Sequence, residues 1–125
     1  MPRASATAHE LGRIELLAGV PGEVLAQLAR RMERQEVPSG TVLVREGEPG
    51  ERFYVLFAGL LSVTQLSGPS HGVLRPGDYF GEVALAMDVP RTATVAAITP
   101  AVVASCDRET FDELLRPLFA DDDSE

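Results

Sequence analysis

Phe80-Gly81-Glu82-Val83-Ala84-Leu85-Ala86-Met87-Asp88-Val89-Pro90-Arg91-Thr92-Ala93-Thr94-Val95 is the stretch on which the reading of this chain turns. Gly81 removes a side chain where the backbone must approach a ligand closely. Residues 82–86 suit one short helix, whose first N–H groups have no partner inside it. Those groups, with the helix dipole, favour a negative charge. Ala84 keeps the turn small, and Leu85 offers it an anchor in a core. Pro90 fixes the chain before Arg91, whose planar fork of donors matches two phosphate oxygens. Glu82 is an acceptor for a hydroxyl pair such as a ribose edge. An anion clamp beside a hydroxyl acceptor describes a nucleotide whose phosphate adjoins its sugar. On spacing alone, the competing reading is a Glu82–Arg91 salt bridge that closes a surface loop.

Around this stretch the apolar pattern changes character twice. Residues 9–17 carry apolar side chains at helical spacing, weakened by Gly12. After Pro21-Gly22, the positions Val24, Leu25, Leu28, Ala29 and Met32 form one apolar face, with Arg30, Arg31 and Arg34 mostly opposite. From Val37-Pro38-Ser39-Gly40 onward, short β-rich runs alternate with Gly and Pro: 41–44, 53–57, 60–64, 72–74, 92–98 and 102–106. Turn signals about every 8–12 residues argue for a sandwich, jelly roll or barrel. Asp107 fits an N-cap before a helix over 110–115, and Pro117 discourages a long uninterrupted one. The expected architecture is mostly β with flanking helices. It has a flexible terminus at 1–8, a helical arm at 9–33, an antiparallel roll at 34–106, a C-terminal helix at 107–119 and an acidic tail at 120–125.

Composition narrows the function classes. The chain has 125 residues, 45% hydrophobic and 24% charged, which fits one globular domain. Net charge is −8 and every cation is an arginine. A net negative field opposes nucleic acid, and no apolar run reaches the roughly 18 residues of a membrane span. The terminus lacks a signal peptide's apolar core, so the expected location is cytoplasmic. Cys106 lies in an apolar run and reads as a buried, inert thiol. His9 and His71 are too far apart in sequence to suggest a metal site, and no nucleophile–base pattern is visible. The chain is therefore not expected to be an enzyme or to hold a metal.

Phe80-Gly81-Glu82-x-Ala84-Leu85 followed by Pro90-Arg91-Thr92-Ala93-Thr94 resembles the phosphate-binding cassette of the cyclic nucleotide-binding domain family. Gly40-Thr41-x-Leu43-x-Arg45-Glu46-Gly47-Glu48-x-Gly50-x-x-Phe53-Tyr54-x-Leu56, Ala58-Gly59 and Pro76-Gly77-Asp78-Tyr79-Phe80 fit the same family. The likeness runs from about residue 16 to 118. It implies a β roll (a jelly roll, or double-stranded β-helix) that binds cyclic AMP (cAMP) or cyclic GMP (cGMP), with no cofactor. By the same resemblance, Arg91 holds the exocyclic phosphate oxygens and Glu82 accepts from the ribose 2′-hydroxyl. The backbone of Gly81, Val83 and Ala84 cradles phosphate and sugar, and Thr92 sits by the phosphate and near the edge of a syn purine. A hydroxyl residue here occurs in both cGMP-selective and cAMP-selective branches. Bacterial-looking members mostly use cyclic AMP, so the reading leans that way. The implied partners are the second messenger itself and an effector domain in the same or another polypeptide. Residues 109–118 would be the hinge helix, with little left for a lid over the base. The rival function is a non-catalytic interaction module that kept the fold and binds no nucleotide.

Overall fold

The computed structural model describes residues 6–66 and 71–119. The expected turn at Gly68-Pro69, the first five residues and the acidic tail lie outside the described residues. The arm begins with α1 (Ala8–Leu11), where Thr7 and Glu10 exchange side-chain-to-backbone bonds in a capping box. Ala6 is buried and its amide reaches the Met32 carbonyl, so the arm's packing extends back to that residue. Gly12 caps α1 and a 3-10 turn follows at Glu15–Leu17. Then comes α2 (Gly22–Arg31), whose buried positions Leu25, Leu28 and Ala29 are those the spacing placed on its apolar face.

Eight strands build two antiparallel four-stranded sheets. β1 (Glu33–Val37), β8 (Ala101–Asp107), β3 (Arg52–Ala58) and β6 (Tyr79–Phe80) form the first, in the order β1-β8-β3-β6. β2 (Val42–Val44), β7 (Thr94–Ala97), β4 (Leu61–Thr64) and β5 (His71–Leu74) form the second, in the order β2-β7-β4-β5. This is the expected antiparallel roll. β3 shows why it closes. With a period of two, Phe53 and Val55 face the helices, while Leu56 faces the interior between the sheets and Tyr54 packs at its margin. The helix-side core adds Leu11, Ile14, Leu17, Leu28, Met32, Phe111 and Leu115, and the roll's own core adds Val44, Leu61, Phe80, Val95 and Val103.

Two helical pieces complete the molecule. α3 (Glu82–Met87) is the expected short helix, with Leu85 fully buried beneath it. The C-terminal helix starts at Asp107, which accepts from the Thr110 amide at 2.9 Å as an N-cap should. It runs as α4 (Arg108–Thr110), one π-helical turn (Phe111–Leu115) and α5 (Arg116–Phe119). Pro117 therefore does not end the helix. A proline ring crowds the carbonyl four residues back, here Glu113, and that residue lies in the widened π turn.

Candidate functional site

Residues 45–50 loop back over the roll, and Arg91 is laced to them. Its amide donates to the Glu48 carbonyl and its carbonyl accepts from the Gly47 amide, both at 2.8 Å. With the backbone held there, the side chain enters the roll and is only 7% exposed. Nη2 donates to the Arg52 carbonyl at 2.8 Å and Nη1 to the Gly81 carbonyl at 3.3 Å. A guanidinium carries five N–H donors, so two bonds orient it without exhausting it. Among the described residues no carboxylate pairs with it within 4.0 Å. The surface salt bridge to Glu82 is thus not formed.

Burial pulls the Arg91 guanidinium below its usual pKa, and nearby Tyr54, Glu51 and Glu82 offset that pull. It remains a cation, since arginine's ordinary value leaves ample margin. Burial likewise pushes the Glu82 carboxyl above the ordinary carboxylate range, against a bond from its own amide and the Arg91 charge. Glu82 is an acceptor that the fold has partly stripped of water. A hydroxyl donor would relieve it.

Gly81, Glu82, Val83, Ala84, Arg91 and Thr92, the residues singled out by the sequence, line one cavity of about 210 Å³. Its other wall is apolar: Val44, Val63, Leu74, Ala93 and Val95. One charged end beside one apolar wall suits a phosphorylated sugar that carries a flat ring. Gly81 has φ 97°, a left-handed conformation that glycine adopts without cost. A Cβ there would also stand 2.8 Å from the Arg52 carbonyl oxygen and 2.9 Å from Arg91 Nη1.

Sequence reasoning missed Gly50 as part of this site. A Cβ on Gly50 would overlap Ala84 Cβ and lie 3.1 Å from Arg91 Cζ and Nε. The helix α3 and the arginine both rest on it. Gly50 stood in the family-like stretch at 40–56 only as a glycine in a turn, and the packing reason for it lies more than thirty residues away in sequence. Cys106 is fully buried, and desolvation pushes its thiol up to about 12, so it is inert as read.

Comparison with known proteins gives this geometry its context. The sequence profile of the cyclic nucleotide-binding domain matches residues 34–117. The chain is 38% identical over 115 residues to the cAMP-dependent protein kinase regulatory subunit of Dictyostelium discoideum, covering 86% of this chain and 35% of that protein. The chain therefore spans about a third of the length of this curated relative. In structure it resembles the regulatory domain of Toxoplasma gondii PKA crystallised with cAMP, with TM-score 0.82 and 29% identity, over 89% of this chain and 44% of that one. It also resembles the regulatory subunit of a cAMP-independent protein kinase A from Trypanosoma brucei, in a triple mutant bound to cAMP (TM-score 0.82, 29% identity, 89% of this chain and 42% of that one). One of those three changes replaces a threonine by arginine. A bacterial origin gains no support from these three relatives. No helix among the described residues is long and apolar enough to cross a membrane.

Proposed function

The chain belongs to the cyclic nucleotide-binding domain family, and from that premise we propose that it is a sensor domain for cyclic AMP. The observation that carries this reading is Arg91: a buried cation, oriented by backbone carbonyls and unmatched by any carboxylate among the described residues, at one end of a cavity with an apolar wall. In this reading Arg91 takes the exocyclic phosphate oxygens and Glu82 takes the ribose 2′-hydroxyl. The backbone of Gly81, Val83 and Ala84 lies along phosphate and sugar. Thr92, exposed at the cavity edge, stands beside the phosphate and the base. Binding is relayed through the flanking helices to an effector in the same or another polypeptide, and no catalytic step is assigned to this chain.

Energetics share the work. Micromolar affinity needs about −8 kcal/mol, and a charge-assisted hydrogen bond contributes roughly 1.5–3 kcal/mol net. Arg91 supplies part; Glu82, the backbone donors and the apolar wall supply the rest. Relatives named for cAMP support adenine over guanine as the base.

The test is calorimetric titration of the chain with cAMP, cGMP, 5′-AMP and guanosine. The expected order is cAMP first, with 5′-AMP and guanosine at least tenfold weaker. Absence of heat with both cyclic nucleotides, together with an unchanged melting temperature at saturating concentration, would return the chain to the class of interaction modules that bind no nucleotide.

A further inference from the structure

Two open sheets end in four edge strands, and a bare edge invites another chain to pair with it. Three of these edges are blunted. β1 carries Glu33, Arg34 and Glu36 along its length. β6 is two residues long. β2 has three residues and a register break between Val42 and Val44. β5 has none of these devices. It keeps an unbroken register with β4 and contains no Asp, Glu, Lys, Arg or Pro. Its neighbour in the sheet is β4, on one side. Outside that ladder, Gly72, Val73 and Leu74 make no backbone bond to any described residue.

The face beside this edge suits the same use. Val73, Ser62, Ala96 and Val42 are successive partners from β5 across to β2, so their side chains form one row on the outside of the second sheet. The two ends of the row are open to solvent, Val73 at 40% and Val42 at 36%. No strand of this sheet contains Asp, Glu, Lys or Arg, in a chain that is 24% charged. An added strand would meet no buried charge there and no like-charge pair.

We propose that the β5 edge is a docking site for an extended segment of a partner protein, which adds as an antiparallel strand beside β5. Main-chain bonds to residues 72–74 hold it, and a β-branched or aromatic side chain lies beside Val73. Charge selects the segment. The chain carries −8, which opposes a second copy of itself and attracts a strand with basic flanks. An edge this short offers few main-chain bonds, so the contact belongs to the weak, transient class. The site needs no nucleotide, and the proposal stands apart from the functional reading above.

The experiment is an NMR titration of the full chain with a short peptide of alternating threonine and valine between terminal arginines. The amides of residues 72–74 are expected to shift and to exchange about fivefold or more slowly at saturation. A twin with terminal glutamates should bind about fivefold or more weakly. A twin N-methylated along its core keeps every side chain but loses its donors, and should not bind. Val73→Lys puts a charge on the edge and should weaken the arginine peptide about fivefold or more at an unchanged melting temperature. Val42→Lys adds the same charge at the far end of the row and should leave binding as it is. Equal binding of the N-methylated twin, or a titration that leaves 72–74 unmoved, would overturn the proposal. Both results come from the parent chain, so they decide the matter even if Val73→Lys does not fold. Equal weakening by the two variants would overturn it too. A dimer of the parent in sedimentation that Val73→Lys abolishes would give the edge to a second copy instead.

Discussion

Two hollows in this molecule each contain a buried or half-buried arginine, and they differ in how its charge is met. The outer one, about 240 Å³, lies between the N-terminal arm and the first sheet and is lined by Glu10, Arg13 and Arg34 over an apolar floor. Its Arg34 pairs with Glu10 at 3.1 Å and with Glu36 at 3.7 Å. The inner one is slightly smaller, about 210 Å³, and its Arg91 meets backbone carbonyls and no carboxylate within pairing distance among the described residues. Volume would favour the outer hollow; charge balance favours the inner. In the proposed function, a buried cation with no carboxylate in pairing distance is what an anion from outside would meet.

That contrast can be broken most directly at Arg91. Arg91→Ala is expected to weaken cAMP binding at least tenfold in calorimetry, and Arg91→Lys nearly as much, because an ammonium offers no planar fork. Full affinity in either variant would remove the distinction between the hollows. Gly50→Ala sharpens it from the packing side. The added methyl has no room against Ala84 and Arg91, so the domain should lose roughly 1–3 kcal/mol in urea unfolding, and affinity with it. A parent-like Gly50→Ala would mean the arginine does not need its seat.

Glu82→Gln tests the second polar group, with an expected loss of about tenfold in affinity. It also carries a pH signature. The folded-state pKa of Glu82 lies above the ordinary carboxyl value, chiefly through burial. The native state therefore holds that proton more tightly than the unfolded chain does. Its contribution to stability is fully present below the unfolded value and is lost as pH rises through the folded one. Without ligand, Glu82→Gln should melt at least as high as the parent at pH 7 and gain nothing in acid. cAMP affinity should rise over the same interval as the carboxyl ionises, and a flat profile would mean that it does not accept the ribose hydroxyl. The smallest effect belongs to the outer hollow: Arg34→Ala should cost less than about 1 kcal/mol and leave cAMP affinity unchanged, as half-exposed ion pairs usually do.

The same contrast explains what the sequence could disclose. The inner site was legible because Gly81, Glu82, Arg91 and Thr92 are neighbours in the chain, and each has a chemical reason to be there. The longer strands were legible through apolar alternation between turn residues. β1 was not: Glu33-Arg34-Gln35-Glu36-Val37 buries only its last residue, and its place is set by backbone pairing with β8, which leaves no compositional trace. β6 is two residues long and offered no period to read. The packing role of Gly50 was opaque for a related reason: the atoms it makes room for, the Ala84 methyl and the Arg91 guanidinium, lie more than thirty residues along the chain.

Cys106 has a practical consequence of its own. Its sulfur sits wholly inside β8, opposite Phe53 of β3, with its thiol held protonated to about pH 12. It packs in the helix-side core with Phe53, Phe111 and Leu115, so an alkylating reagent reaches it when the flanking helices lift from the sheet, and its labelling half-time is a clock for that opening. Because it is the chain's single thiol, the clock needs no engineering. If nucleotide binds the closed domain, saturating nucleotide should slow it by the factor by which binding favours that state, giving a readout of occupancy in mixtures too crude for calorimetry.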